Sequence, residues 1–293
     1  ERDNGTSSTD FVLLGIRDVL MLQNLLFLLL LMIYSVTMVG SILIVVLVVA
    51  DRHLHTPMYF FLGNLSSLET YYSSTILPQL LASFLTGDSS ISAHGCMAQF
   101  YFFASFATTE CYLLAAMSYD RYLAICPPLL YAAFWLGGSL LLVVVTVLLS
   151  QLQFCGPKAI DHFFCDFTPL LELDCSDTRA ITIVSFIFGI LDVVFPFLFT
   201  LASYICIIGA ILRIPSSTGR QKAFSTCSSH LTLITIFYGS LFVVYMLPRT
   251  APLRQHNKAF SFFYIVLTPL VNPLIYSLRN REVREAIRKA LRK

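Results

Sequence analysis

Long apolar stretches alternate with short polar ones along the whole chain, and each stretch is longer than a helix of a soluble core requires. About 20 mostly apolar residues cross the hydrocarbon of a bilayer as a helix, so the gaps between charges mark candidate spans. Residues 19–50 carry no charge, 57–83 carry only Glu69, and 93–125 carry only Glu110 before reaching Asp120 and Arg121. Residues 132–149, 179–212 (with Asp192), 223–247 and 259–278 complete seven expected spans. In the tail after residue 278, Val283, Ile287, Ala290 and Leu291 recur at helical spacing among basic residues, the pattern of an amphipathic helix lying on a bilayer. The pattern therefore predicts an all-α membrane protein. One domain, 1–293, is expected: residues 1–18 outside, 19–278 as a seven-transmembrane helix bundle with its loops, and 279–293 as a short amphipathic C-terminal helix.

Composition narrows the partners. With 57% hydrophobic and 12% charged residues the chain cannot cover itself with a water-soluble surface, and a net charge of +2 is too small to suggest nucleic acid. The lipid bilayer is the partner that fits. Residues 1–18 lack the basic start and short apolar core of a secretory leader, so the first apolar helix is expected to serve as the insertion signal. Basic residues are retained on the cytoplasmic side. An outside N-terminus places twelve of them inside and seven outside, which predicts a multi-pass plasma-membrane protein with a cytoplasmic C-terminus. Asn4 in "NGT" is then a lumenal glycosylation sequon. Cys96, Cys155, Cys165 and Cys175 all fall on the outer side, where disulfides persist, and four cysteines allow three pairings.

"DRY" (Asp120 to Tyr122) ends the third span and "NPLIY" (Asn272 to Tyr276) lies near the inner end of the seventh. With seven spans, these motifs resemble the rhodopsin-like G-protein-coupled receptors. "LHTPMYFFLGNLS" at 54–66, "MSYDRYLAIC" at 117–126, "KAFSTCSSHL" at 222–231 and "PLVNPLIYSLRN" at 269–280 are similar to vertebrate odorant receptors. The long loop from Phe154 to Thr178 resembles that of the class II (tetrapod-type) group. The resemblance implies a receptor for a small volatile odorant. It also implies coupling to a stimulatory G protein of the olfactory type, cyclic AMP production, and disulfides Cys96–Cys165 and Cys155–Cys175. No cofactor is required.

Arg121 at a membrane edge is tolerable beside Asp120, and a breakable pair makes a two-state switch that frees a cation; the plainer reading is a static charge pair. Tyr204, His230 and Tyr276, all near inner helix ends, favour the switch. The resemblance assigns this region to G-protein coupling. Glu69 and Glu110 lie at matching depth, roughly 16–18 Å above the inner edge at 1.5 Å per residue. Two carboxylates in a dry bundle either share a proton or hold a cation such as Na⁺, or else one is neutral and bonded to a nearby serine.

By the same arithmetic Phe103, Ala104, Ala107, Thr108, Phe188, Asp192, Tyr238, Leu241, Phe242 and Tyr245 fall in the outer half of the bilayer. They could line a small, mainly apolar cavity suited to volatile ligands, although apolar stripes in a bundle are also ordinary helix interfaces. Asp192 selects a polar ligand or bonds to a neighbouring helix. Arg249 attracts an acidic odorant or snorkels toward water. "HFFCD" at 162–166 offers too few ligands for a metal if Cys165 is in a disulfide. Pro196, Pro269 and Pro273 each remove a helix hydrogen bond and bend their spans, as hinges or as fixed kinks. Tyr238 in "FYG" stands where many rhodopsin-like receptors carry Trp, and is the candidate link between pocket and inner face.

The chain departs from the family pattern in three places. Glu69 replaces the usual Asp, Ser41 stands where Asn is usual, which weakens the expected polar network, and the segment from Cys126 to Trp135 is shorter than the family's inner loop. A retinal receptor is excluded because residues 259–278 contain no Lys for a Schiff base. An enzyme is not expected, since no triad-like grouping stands out. A membrane transporter or channel is the rival reading, suggested by three intramembrane acids, but the spans show no internal repeat.

Overall fold

The computed structural model describes residues 10–15, 23–123, 140, 142–154, 158–175, 178–245, 251–279 and 281–290. Within these ranges some side chains, those of Arg121 and Tyr276 included, lie outside the description, as do Asn4, Cys155, Arg249 and the segment after Cys126. The helices are α1 (Gln23–Ala50), α2 (Pro57–Thr86), α3 (Ala93–Leu123), α4 (142–150), α5 (Phe167–Leu171), α6 (Arg179–Gly189), α7 (Phe195–Leu212), α8 (Ser217–Tyr245), α9 (Ala251–Arg279) and α10 (Arg281–Ala290). A π turn, Ile190–Val194, joins α6 to α7, so these form one span. Each of the seven expected spans thus holds helix among its described residues, the fourth at 140 and 142–150.

The span edges depart from the apolar stretches. Helix α8 begins at Ser217 and α9 at Ala251, well before the expected 223 and 259. A helix satisfies its own backbone in water as in lipid, so it runs on past the hydrocarbon into charged sequence such as Arg254 to Lys258. The reverse case is α2. It crosses the bundle with serines, threonines and tyrosines along much of its length, and it is not among the four described helices that are apolar enough to cross by composition alone. Two features explain this. Much of α2 is buried against protein, not lipid, and its hydroxyls bond back onto their own helix: Ser67 to the Gly63 carbonyl at 2.9 Å, Thr70 to Ser66 at 3.0 Å, Ser74 to Thr70 at 2.7 Å and Thr75 to Tyr71 at 2.9 Å. Pro57 starts it, where a missing N–H costs nothing, and Gly87 stops it in the left-handed region at φ 73°. In contrast, α1 buries only the narrow face Leu30, Thr37, Ser41, Ile44 and Leu47 and shows lipid a continuous apolar surface.

One end of the bundle, called outer here, carries a three-stranded sheet that hydropathy did not announce: β1 (Asp10–Leu13), β2 (Ser90–Ser92) and β3 (Ala159–Ile160), ordered β2-β1-β3. Strand β1 pairs antiparallel with β2, Phe11 opposite Ile91, and parallel with β3, Val12 opposite Ala159. Phe11, Leu13, Ile91 and Ile160 bury together with Phe100 of α3 and Leu149 of α4, so the sheet is the roof of an apolar cluster. Cys96 at the start of α3 is bonded to Cys165, as the resemblance implied, and Cys175 is also in a disulfide. Lys258 of α9 forms an ion pair with Asp161 in the same loop.

At the inner end α10 folds back: Val283 and Ala286 bury in the main core, and Lys289 lies 3.4 Å from Asp51, which follows α1. The tail is thus anchored to protein on one face as well as being amphipathic. The backbone N–H of His53, with Lys289 beside it, holds the Asp51 carboxyl below the usual carboxylate range.

Where β1 leaves the sheet, the Gly15 N–H donates to the His162 carbonyl at 3.2 Å, and a Cβ on Gly15 would lie 2.8 Å from the His162 carbonyl carbon. Gly15→Val is therefore expected to cost about 1–3 kcal/mol by overpacking, read as a lower thermal midpoint of the purified protein. An unchanged midpoint would show that the N-terminal strand does not dock as described.

Candidate functional site

The core of the outer half is assembled around Phe103 on α3. Its ring packs on Phe164 (centroids 4.8 Å apart), Tyr72 (5.1 Å) and Tyr264 (6.4 Å), joining α2, α3, α9 and the disulfide loop. Phe164 is 1% exposed: the disulfide at its neighbour Cys165 pins the loop so that this ring plugs the bundle from above. Ala107, Tyr238, Leu241 and Tyr245 belong to the same cluster as Phe103, while Ala104 and Phe188 pack in the adjoining cluster under the sheet, and Thr108 is buried between spans. One expected residue does not join them. Phe242 is 60% exposed on the outward face of α8 with Thr235 and Gly239, because its position puts it about 100° around the helix from buried Leu241.

Several polar atoms of this region have definite partners. Tyr238 donates to the Cys111 carbonyl of α3 at 3.1 Å and lays its ring on Phe197 of α7 (5.1 Å), so a single side chain of α8 touches both neighbouring spans. Tyr245 donates to Asp166 at 3.2 Å; the same carboxyl accepts from the Phe167 N–H and starts α5. Asp192 accepts from Tyr112 of α3 at 3.0 Å, which is the neighbouring-helix partner the sequence allowed for it. His162 meets the Phe164 ring edge-on (4.6 Å), and among the described residues no group of three or more His, Cys, Asp or Glu could hold a metal.

Gln99, buried on α3, was not singled out by pattern. Its amide donates to the Gln79 side chain at 2.9 Å and to the Thr75 carbonyl at 3.2 Å, and its oxygen accepts the Cys165 N–H at 3.0 Å. A lone glutamine in an apolar run is the one signal the sequence offered.

At mid-depth, Asn272 of α9 donates to Glu69 of α2, and Ser41 of α1 donates to the other Glu69 oxygen at 3.4 Å. The same amide also interacts with Glu110, whose Oε1 is buried without a hydrogen-bond partner. Equal depth did bring the two acids together, and Ser41, expected to weaken the network, takes part in it. Two carboxyls, a hydroxyl and an amide are oxygen-rich donors of the kind a hard cation prefers. At the inner end the Tyr204 hydroxyl of α7 and His230 Nδ1 of α8 share a hydrogen bond in the core, and Asp120 is buried at the end of α3.

Gln99→Leu is expected to strand the buried Cys165 N–H at a cost of about 1–3 kcal/mol; a thermal midpoint equal to the parent's would remove Gln99 from the loop's anchorage.

Comparison with known proteins places the whole arrangement. A family model described as olfactory receptor matches residues 30–293. The chain is 45% identical to mouse olfactory receptor 5AP2, covering 99% of this chain and 96% of that one, and 46% identical to human olfactory receptor 6P1, covering 98% and 95%. With human olfactory receptor 11L1 the alignment runs over 306 positions against 293 residues here, so that relative carries residues with no counterpart in this chain. The crystal structure of squid rhodopsin shares the fold, with a TM-score of 0.64 at 16% identity, over 93% of this chain and 86% of that one.

Proposed function

The chain belongs to the olfactory receptor family, and from that premise we propose that a small volatile odorant, bound in the outer half of the bundle, drives coupling to an olfactory-type stimulatory G protein and raises cyclic AMP. As a member it is a multi-pass G-protein-coupled receptor and not an enzyme. In the reading proposed here its N-terminus faces outward and its C-terminus the cytoplasm of the plasma membrane. That orientation puts Cys96, Cys165 and Cys175 in an oxidising compartment and the basic face of α10 beside anionic lipid.

Tyr238 is the observation that carries this reading. A ligand resting among Phe103, Ala107 and Leu241 is next to a side chain, Tyr238, that ties α8 to the α3 backbone and to α7. Displacing the Tyr238 hydroxyl from the Cys111 carbonyl frees α8 to move relative to α7, and the Tyr204–His230 bond between those two helices is where the movement is felt. Ala104, Thr108, Phe188 and Tyr245 form the wider wall, and Asp192 acts from behind it through Tyr112. At the inner end, opening releases Arg121 from Asp120 toward the G protein, in the region to which Tyr276 also belongs. Na⁺ between Glu69 and Glu110 stabilises the resting state, with the donor-less Glu110 oxygen as its natural ligand.

Cells expressing the chain, screened against an odorant panel with a cyclic AMP readout, are expected to respond to at least one volatile ligand, and Arg121→Ala to abolish that response. A response that survives the substitution would defeat the switch. Glu110→Gln is expected to remove the sodium dependence of basal signalling; equal basal signalling in sodium and in choline for the parent chain would remove the ion.

A further inference from the structure

Beneath the Phe103 ring three buried polar atoms come near one another without a hydrogen bond. The Tyr72 hydroxyl of α2, the Tyr264 hydroxyl of α9 and Glu110 Oε1 of α3 each lack a hydrogen-bond partner. Both hydroxyls are close enough to feel the Glu110 carboxyl and one another, and the two tyrosine rings stand edge-on with centroids 6.1 Å apart. Phe103 packs on both rings, and Phe237 of α8 meets Tyr264 at 6.1 Å, so aromatic surface separates the trio from lipid. The short hydroxyls of α2 bond back onto their own helix, as Thr70 and Ser74 do. A phenol is too long and rigid for that, so its O–H must be met by a group from elsewhere.

We infer that these three atoms form a subsite for the hydroxyl group of an aliphatic alcohol. The inference rests on the odorant-receptor reading and names the chemical class of its ligand. Matching donors to acceptors selects that class. An alcohol oxygen carries one donor and two acceptor lone pairs, so it donates to Glu110 Oε1 and accepts from Tyr72 and Tyr264, and all three atoms are satisfied at once. An aldehyde or ketone accepts from the two phenols but leaves the Glu110 oxygen without a donor. An ammonium group has only donors and leaves both phenol O–H groups without an acceptor, and a carboxylate brings a second anion beside Glu110. Ala107 and Phe103 lie one and two turns outward of Glu110 on the same face of α3, so an alkyl chain rising from the subsite enters the chamber already assigned to the ligand. Glu110 Oε1 is also the oxygen proposed for Na⁺, so alcohol and ion exclude one another and filling the subsite depletes the resting state.

The test measures thermal midpoints of the full chain in lipid nanodiscs with straight-chain primary alcohols from hexanol to decanol, and with the aldehyde, amine and carboxylic acid of each length. A saturable rise is expected for at least one alcohol, at a half-saturating concentration about tenfold below that of its aldehyde, the order of one hydrogen bond. Tyr72→Phe and Tyr264→Phe are each expected to raise that concentration about three- to tenfold. Without alcohol their midpoints are expected to equal or exceed the parent's, because each substitution removes a hydroxyl that has no partner. Partition of the alcohols into lipid is common to parent and variants and drops out of the comparison. Equal concentrations for alcohol and aldehyde, or variants that bind as the parent does, overturn the inference. So do variants that fail to fold or whose midpoint without alcohol falls, since the hydroxyls then serve the fold through an ordered water. The binding measurement needs no G protein. Alcohols that bind as expected to a chain that answers no odorant with cyclic AMP sink the receptor reading alone, and a chain that signals to other odorants but shows no preference for alcohols sinks this inference alone.

Discussion

In hydrocarbon a backbone carbonyl or N–H that is not bonded within the protein has no alternative partner, and that constraint organises this molecule. It explains why the seven spans are helices and why Gly87 takes a left-handed conformation to end α2. It also explains how α2 tolerates many of its hydroxyls: Ser67, Thr70, Ser74 and Thr75 each bond back onto their own helix. Beside Pro196, one of several prolines in the spans, Tyr112 of α3 lies 3.2 Å from the Leu191 carbonyl and answers from another helix. The departure from regular helix is thus also a point of coupling between spans.

The remaining intramembrane polar groups follow the same rule at longer range. Glu69 draws a donor from α1 and another from α9, so one acid joins three spans. Gln99 performs the corresponding task nearer the outer end, tying α2, α3 and the disulfide loop. Between these two polar levels lie the aromatic rings around Phe103, Tyr72 and Tyr264. Toward α7 and α8 the contact is made by Tyr238 and Phe197.

The outer roof answers a different need. Three short strands from separate parts of the chain cover one apolar cluster, and the disulfide holds Phe164 where it caps another. Neither strand nor plug is stable alone, since a strand of three or four residues cannot bury enough surface to order itself. They exist because the bundle beneath offers a face to cover.

The number of spans, their acids and the inner motifs were legible in the sequence, because exclusion of charge from lipid writes itself as gaps of fixed length and because depth is linear in residue number. On that basis Glu69 met Glu110 as counted, while the bond between Tyr204 and His230, both expected near inner helix ends, was seen only in the structure. Helix ends at Ser217 and Ala251 were not legible, since hydropathy records contact with lipid and not the reach of a helix. Nor was the outward turn of Phe242: depth along an axis says nothing about rotation around it, and only the neighbours of α8 decide which side is interior. The sheet, the Phe164 plug, the Gln99 node and the Tyr112 bond all join residues distant in the chain, and such pairings become definite only when packing brings their carriers side by side. The chain alone determined which segments cross the membrane, from the cost of a charge in hydrocarbon. Tertiary structure alone decided which polar atoms complete one another, because a hydrogen bond is specified by direction and distance, and those are properties of the assembled bundle.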